Sequence, residues 1–332
     1  MKAIVCVPGG VEVADVKDPV PAAGEVVVAV EACGLCGSDV HAIELGFTAD
    51  GQILGHEFAG RVVEVGASVG TGWIGEAVAV DPIGSCGSCR ACTRGVPFGC
   101  RAVPNLGITA PGAYAQYVAV PERQLVRLPG ELAVEQGAHA EPLAVALHAV
   151  DLARVGPGDS VLVYGVGPIG LNAIMALRLA GVDRIVGAGR SAGRRAAAAA
   201  VGADAVVDTR ETSIADIGAR FTAVLECSGA PGAFVEALDV LEPGGSYVEV
   251  AITAETAPVP LLRLVVDGVT IVGSCAFDAP TYARAVEHIG AGRVPVASLV
   301  SERVGLEATP EALVRLRTPG DLVRVLTRPW DQ

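Results

Sequence analysis

The chain has very little lysine. Only Lys2 and Lys17 occur, so arginine supplies almost all of the positive charge, and the formal net charge is −13. Positive charge is scattered except at Arg190 and at Arg194 and Arg195. Broad binding of nucleic acid needs a basic surface that attracts phosphates, so this distribution excludes it.

Long membrane-spanning runs are also missing, although 51% of the 332 residues are hydrophobic and only 18% are charged. An uncharged run between Asp159 and Arg178 is interrupted by three glycines and a proline, which indicates a strand, a turn and a helix start. The N-terminus reaches the turn residues Pro8-Gly9-Gly10 without the long apolar core of a signal peptide. We therefore expect a soluble, cytoplasmic protein without a membrane or nucleic-acid partner.

The sequence contains no internal repeat and no low-complexity linker. Its length exceeds the size at which one hydrophobic core usually stops growing, which favours two domains. The first 150 residues hold short alternating strands broken by glycine and proline. From Asp159 onward, apolar strands alternate with helical segments, which is typical of a doubly wound parallel sheet. We predict one domain from residues 1–150 and 276–332 and another from residues 151–275.

Nine cysteines in a chain expected to be cytosolic indicate metal or redox chemistry rather than disulfides. Four of them lie in one short loop, at Cys86, Cys89, Cys92 and Cys100. Four thiolates complete a tetrahedral shell around zinc and leave no position for a substrate, which predicts a structural zinc site. Four free cysteines would lack a packing reason at this spacing, and a zinc ribbon for nucleic acid usually has two separated knuckles in basic surroundings.

A second set of ligand types occurs earlier in the chain. Cys36 is followed by His56 and Glu57, and Glu141 adds another carboxylate at a predicted helix start. Sulfur, nitrogen and oxygen ligands together are typical of a catalytic zinc that keeps one position open. His56 alone would more often be a core histidine, so the prediction depends on the whole set.

With these residues in this order, the sequence resembles the zinc-containing medium-chain dehydrogenase/reductase family, within it the polyol, sorbitol and butanediol dehydrogenase branch. The resemblance covers essentially the whole chain. It rests on the segments Gly34-Leu-Cys-Gly-Ser-Asp-Val-His41, Gly55-His-Glu57, the four-cysteine loop, Glu141-Pro-Leu143 and Gly165-Val-Gly-Pro-Ile-Gly170. It implies a GroES-like catalytic domain of short strands in a partly open barrel, joined to a Rossmann domain.

The resemblance implies that Cys36 and His56 bind the catalytic zinc, with the remaining positions shared among Glu57, Glu141, and water or substrate. Whether Glu57 or Glu141 binds directly stays open. Other branches carry a cysteine in place of Glu141, so this glutamate favours the polyol-like side.

Three further residues are predicted to support this centre. Asp39 is expected to accept a hydrogen bond from the far ring nitrogen of His56, although it could also cap a helix. Ser38 and His41 match the family's proton relay, with His41 as its terminal base. A helix-start cap is the alternative role of Ser38.

The segment from Gly165 to Gly170 follows an apolar strand and opens a helix, as a dinucleotide-binding turn requires. At the end of the next strand, where an acidic residue would bind the ribose hydroxyls, the chain has Gly189 and then Arg190. This favours NADP(H), with NAD(H) as the alternative, because a guanidinium pairs with the 2′-phosphate; a solvated helix start is the other explanation of these arginines. The predicted cofactor-binding residues are Gly165, Gly167, Pro168, Ile169, Gly170, Gly189, Arg190 and Arg194, and by resemblance Cys227, Val250, Ser274 and, at the pyrophosphate, Arg324.

These observations predict an enzyme that uses two zinc ions per chain and transfers hydride between a secondary alcohol and a nicotinamide cofactor. A polyol, sugar or cyclitol is the expected substrate, and a small aliphatic alcohol, diol or ketone is the alternative. The segments Leu45–Leu54 and Gly112–Tyr117 depart from the family pattern and are expected to border the pocket. A zinc-stabilised cofactor-binding protein without turnover and a metal-independent double-bond reductase are the other classes. A homodimer or homotetramer is expected by family habit.

Overall fold

A computed structural model describes residues 1–318 and 320–331, which divide into two compact units. The described residues of unit 1 are 1–141, 276–318 and 324–331. Unit 2 contains Pro142–Cys275 and the short segment Gly320–Val323. The boundary lies between Glu141 and Pro142, inside a helix, whereas the sequence placed it after residue 150.

The described residues form fifteen strands. They are β1 (Lys2–Val7), β2 (Gly10–Asp15), β3 (Glu25–Gly34), β4 (Glu57–Val65), β5 (Ala77–Val80), β6 (Tyr117–Pro121), β7 (Leu125–Arg127), β8 (Ser160–Tyr164), β9 (Arg184–Gly189), β10 (Ala205–Asp208), β11 (Phe221–Glu226), β12 (Leu241–Glu249), β13 (Thr270–Gly273), β14 (Val300–Val304) and β15 (Arg324–Thr327).

Nine α-helices occur in the same part of the chain. They are α1 (Gly37–Glu44), α2 (Arg90–Thr93), α3 (Ala140–Ala153), α4 (Pro168–Leu179), α5 (Ala192–Ala200), α6 (Ala233–Asp239), α7 (Leu261–Val266), α8 (Ala279–Gly290) and α9 (Thr309–Arg315). None of them is long and apolar enough to cross a membrane.

Unit 1 is built on a mixed sheet in the order β14-β15-β3-β4-β5-β7, with β6 also paired to β3. The long strand β3 is central because its valines are buried and both of its edges are paired. Only the β14–β15 pair is parallel. The pairing of β15 with Cys33 and Gly34 at the end of β3 brings a C-terminal strand beside the residues that precede α1.

Unit 2 is a six-stranded parallel sheet in the order β10-β9-β8-β11-β12-β13. The central strands β8 and β11 are almost wholly apolar and buried, as expected for parallel strands covered by helices on both faces. The order reverses between β8 and β11, where doubly wound sheets bind their ligands at the carboxyl ends of the strands. The predicted combination of a short-stranded unit and a doubly wound parallel sheet is confirmed.

Candidate active site and nucleotide site

Cys36, His56 and Glu57 converge in unit 1. Each offers one ligand atom, and these three atoms lie within 4.8 Å of one another. Cys36 directly precedes α1, and His56 directly precedes β4, so the two side chains are held by the ends of regular elements. The Ser38 hydroxyl lies 3.1 Å from Cys36 Sγ and 3.5 Å from His56 Nε2. The predicted thiol, imidazole, carboxylate and hydroxyl therefore form one cluster.

Asp39 lies on the opposite side of the His56 ring. Its Oδ1 is 3.4 Å from His56 Nδ1, and both side chains are buried. Burial lowers the pKa of His56, but Asp39, and after it Cys36, raise it, and the net result is a pKa well above the ordinary value. This contact fixes which ring nitrogen faces Cys36.

Tyr114 is a member of this site that sequence reasoning missed. Its hydroxyl donates to Asp39 Oδ2 at 2.5 Å and lies 3.1 Å from the Gly34 carbonyl oxygen. The ring is fully buried, and a Cβ added at Gly55 would meet it at 2.7 Å. Two features of the sequence could have pointed to Tyr114: Gly55, which lies next to His56, and the segment Gly112–Tyr117, which departs from the family pattern.

Glu57 forms a buried ion pair with Arg324, in which Nη1 lies 2.6 Å from Glu57 Oε2. Arg324 Nη2 also donates to the Ala138 carbonyl at 2.8 Å. Gly34 makes room for this pair, because a Cβ there would collide with both Glu57 and Arg324. Arg324 was predicted to reach the cofactor pyrophosphate, whereas the structure places two of its nitrogens on these partners in unit 1, because β15 pairs beside Gly34.

Glu141 is buried at the start of α3 but lies outside the group of ligand atoms formed by Cys36, His56 and Glu57, as far as the described residues show. Burial, followed by the nearby Glu57 carboxylate, raises its pKa to about 8. The structure therefore separates the two carboxylates whose roles the sequence left open. His41 lies on the exposed surface of α1.

The four cysteines of the loop also converge. One sulfur from each of Cys86, Cys89, Cys92 and Cys100 lies within 4.8 Å of the others. The backbone N–H of Cys89 donates to Cys86 Sγ at 3.3 Å. Such backbone donors, from Ser88 and Cys89, lower the pKa of the Cys86 thiol to about 6, which favours the thiolate that metals bind.

Both clusters fit zinc by the chemistry of their donor atoms. The cysteine loop presents a closed set of four sulfurs, as in structural zinc sites. The second cluster presents three protein ligands of mixed type, which leaves a fourth position available, as in catalytic zinc sites.

In unit 2 the glycine turn joins β8 to α4. Gly165 has φ +100°, and a Cβ there would meet Ser228 N at 2.6 Å. A Cβ at Gly170 would collide with the Gly165 carbonyl, which explains the third glycine. At Gly167, which precedes the helix residues Pro168 and Ile169, the nearest group to an added Cβ is an arginine nitrogen 3.8 Å away. The backbone is therefore open where a pyrophosphate would approach the helix N-terminus.

Three arginines follow β9, and they have different surroundings. Arg194 donates from Nε and Nη2 to the Leu322 carbonyl, while its Nη1 is the nitrogen near Gly167. Arg195 pairs with Asp208 and with the carbonyls of Gly189 and Arg190. The exposed Arg190 guanidinium has no hydrogen-bond or ion-pair partner within residues 1–318 and 320–331. Of these three arginines, Arg190 has its whole guanidinium available to an anion, whereas Arg194 has only Nη1 available.

The other predicted cofactor residues follow the ends of the parallel strands. Cys227 follows β11, Val250 follows β12 and Ser274 follows β13. Ser274 is buried, and its hydroxyl oxygen has no hydrogen-bond partner among the described residues. These positions share the carboxyl edge of the sheet with the glycine turn.

Two family models match this chain. Residues 22–130 match the alcohol dehydrogenase GroES-like domain, and residues 168–291 match the zinc-binding dehydrogenase domain. A sorbitol dehydrogenase of Halalkalibacterium halodurans is 30% identical over 97% of both chains. The chain belongs to the zinc-containing medium-chain dehydrogenase/reductase family, in its polyol dehydrogenase branch.

Further relatives agree with this assignment. A probable D-xylulose reductase A of Aspergillus clavatus is 30% identical over 91% of this chain and 88% of its own. A zinc-binding dehydrogenase of Sinorhizobium meliloti, solved with bound NADP, has a TM-score of 0.93 and 31% identity over 99% of both chains. The predicted GroES-like and Rossmann folds are confirmed by these similarities.

Proposed function

We propose that the protein is a zinc-dependent and nicotinamide-dependent dehydrogenase that interconverts a secondary alcohol of a polyol, sugar or cyclitol and the corresponding ketone. The observation that carries the proposal is the cluster of Cys36, His56, Glu57 and Ser38. The sorbitol and xylulose names of the relatives support a polyol. Hydride transfer needs both this cluster and the dinucleotide turn, and the chain contains both.

The proposed ligands of a catalytic zinc are Cys36, His56 and Glu57, while Glu141 supplies a further buried carboxyl group. A second zinc is proposed for the cysteine loop. When bound, the catalytic zinc would supply Lewis-acid polarisation of the substrate oxygen. Glu57 is already paired with Arg324, which offsets its buried negative charge and holds the carboxylate in place.

The remaining residues orient the ligands and move the proton. Asp39 holds the His56 ring, and Tyr114 holds Asp39. Ser38, in contact with both Cys36 and His56, is the proposed first proton acceptor. His41 is exposed on the same helix, which suits a terminal base that delivers the proton to solvent.

NADP(H) is the proposed cofactor. Arg190 supports it, because its guanidinium is exposed and without a partner in the described chain, and the expected carboxylate is replaced by Gly189. The NADP bound to the Sinorhizobium meliloti structure is consistent with this preference.

The direct test measures reduced-nicotinamide absorbance with a panel of polyols, sugars, amino-cyclitols and ketones, supplied with either cofactor. We expect turnover with at least one polyol-like substrate and its loss, by a factor of about 10³ or more, in Cys36→Ala. Cys275→Ala, outside both cysteine clusters, is the matched control. Cofactor binding without turnover on any substrate would instead indicate a binding protein, and full activity of Cys36→Ala would contradict the proposal.

A further inference from the structure

Two glutamates face each other at the carboxyl edge of the sheet in unit 2. Glu226 ends β11 and Glu249 ends β12, and the two are register partners in that parallel pair. Register partners of neighbouring strands point to the same face of a sheet. Glu226 is 1% exposed and Glu249 is half-buried, so both carboxyl groups are at least partly removed from solvent.

Glu226 fixes the loop that follows its strand. Its carboxylate accepts from the backbone N–H of Ser228 at 2.8 Å and of Gly229 at 3.0 Å, and from the Ser228 hydroxyl. Ser228 lies directly against Gly165, where an added Cβ would meet Ser228 N at 2.6 Å. A chain of contacts thus connects Glu226 to the glycine turn.

One of the two carboxylate oxygens of Glu249 has no hydrogen-bond donor among the described residues. Glu249 Oε2 accepts from the Tyr247 hydroxyl at 2.5 Å, while the buried Oε1 has no partner among the described residues. A carboxylate only accepts hydrogen bonds, so two facing carboxylates leave a buried acceptor unsatisfied. One proton held between them supplies the missing donor.

The electrostatic surroundings agree with a bound proton. Burial, opposed by the Tyr247 hydrogen bond and reinforced by Glu226, raises the pKa of Glu249 to about 7. Cys227, which directly follows β11, adds a partly buried thiol whose pKa is raised by desolvation and then by both glutamates. Tyr164 of β8, which is hydrogen-bonded to Glu236 of α6, lies near Glu226. On β13 the register partner of Glu249 is Gly273, which brings no titratable group.

We propose that Glu226 and Glu249 share one proton, and that this proton keeps Glu226 bound to the loop Cys227–Gly229, so that tight cofactor binding requires the protonated pair. Glu249 is thereby a positioning residue. Without the proton, the two carboxylates repel each other and move apart. This movement displaces the Glu226 carboxylate from the backbone N–H groups of Ser228 and Gly229. The surface that supports Gly165 then loosens, and binding of the dinucleotide weakens. The inference rests on the proposed function only in requiring a nicotinamide cofactor.

The test measures the Kd of NADPH, from its fluorescence, between pH 5.5 and pH 9 for the wild type and for Glu249→Gln, which is always neutral. The ligand's own titration cancels in the ratio of the two constants. We expect the wild-type Kd to rise about tenfold relative to Glu249→Gln between pH 6 and pH 8.5, which corresponds to one pKa unit of coupling. The control, Glu242→Gln near the start of the same strand, is expected to follow the wild type at every pH.

A Kd ratio that stays constant with pH would overturn the coupling while leaving the proposed function standing. Failure of the wild type to bind either cofactor at any pH would overturn both. If Glu249→Gln does not fold, infrared spectra provide the second measurement. The buried Asp81 and Glu141 of unit 1 also contribute a protonated carboxyl band, so the spectrum of the Asp81→Asn variant is compared with and without NADPH. A carboxyl band in that variant that disappears near pH 7, below the titration of Glu141, and persists to higher pH when NADPH is bound supports the shared proton; its absence contradicts it.

Discussion

Arg190 differs from the neighbouring Arg194 and Arg195 because the side chains of those two arginines form hydrogen bonds or ion pairs within the protein. Arg195 is bound to Asp208 and Arg194 to the Leu322 carbonyl, so both arginines have structural partners already. Arg190 could therefore pair with a 2′-phosphate without first breaking another contact. Charge-assisted hydrogen bonds between a guanidinium and a phosphate are stronger than hydrogen bonds between neutral groups.

The consequence is testable with Arg190→Asp. The new carboxylate would repel the 2′-phosphate and could accept from the ribose hydroxyls. We expect kcat/KM with NADPH to fall by a factor of about 10² and the preference to move toward NADH, since a lost charged hydrogen bond costs about 1.5–3 kcal/mol. Arg184→Asp, at the opposite end of the same strand, is the control. Equal efficiency of the wild type with both cofactors would remove the claim.

The buried carboxyl group of Asp81, in unit 1, should make the free energy of unfolding depend on pH. It is 6% exposed after β5, and burial raises its pKa to about 7, opposed by the Ile83 N–H and reinforced by Asp278. A carboxyl group with a raised folded-state pKa stabilises the fold fully below its unfolded pKa, near 4. That contribution is lost as the pH rises through about 7.

Asp81→Asn should remove this dependence, because the amide oxygen can still accept the Ile83 N–H bond, which is 2.9 Å long in the wild type. We expect the free energy of unfolding of the variant, relative to wild type, to increase from pH 4 to pH 7 and then to level off, by at most a few kcal/mol. Denaturant unfolding at several pH values measures it, with the exposed Asp50→Asn as control. A difference that does not vary with pH would contradict the raised pKa, because it would show that Asp81 has the same pKa in the folded and unfolded protein.

At the scale of elements, the cysteine loop has little regular structure to hold it. Its only α-helix within the described residues is the single turn α2, followed by a short 3₁₀ turn at Pro97–Gly99. Three of the four cysteines are partly exposed, and Cys100 is buried. The hydrophobic core available to the loop is therefore small, and a bound metal would supply much of its stability.

Cys92→Ser tests the contribution of this loop. We expect the variant to lose about 3 kcal/mol, which is roughly 6–12 °C in Tm for a unit of this size, because the four-sulfur set is broken. A strong chelator should lower the wild-type Tm in the same direction and lower that of the variant by less, because the variant has only the second zinc left to lose. Cys275→Ser serves as the control, and a Tm for Cys92→Ser equal to that of the wild type would contradict a structural metal.

In the molecule as a whole, the features that depend on short local motifs could be predicted from the sequence, whereas contacts between residues far apart in the chain could not. The parallel sheet follows from apolar strands alternating with helices, and the glycine turn follows from three glycines whose spacing the structure explains by close approaches. Cys36 and His56 were predictable because each lies in a short segment typical of the family.

The contacts that the sequence could not give join residues far apart in the chain. Tyr114 reaches Asp39 only because its segment pairs with Leu54 beside the cluster. Arg324 meets Glu57 because β15 returns to pair with the end of β3, a register that no local pattern encodes. The facing glutamates of β11 and β12 could not be predicted either, because only the register of the two strands brings Glu226 and Glu249 side by side.

We propose that one chain holds two zinc ions, one catalytic and one structural. Elemental analysis of the purified protein, scored as zinc per chain, tests it most directly when the wild type is compared with Cys36→Ala and Cys92→Ser. We expect two zinc ions in the wild type and one in each variant, with turnover lost in Cys36→Ala. A wild type that holds a single zinc, retained in Cys36→Ala and lost in Cys92→Ser, would contradict it.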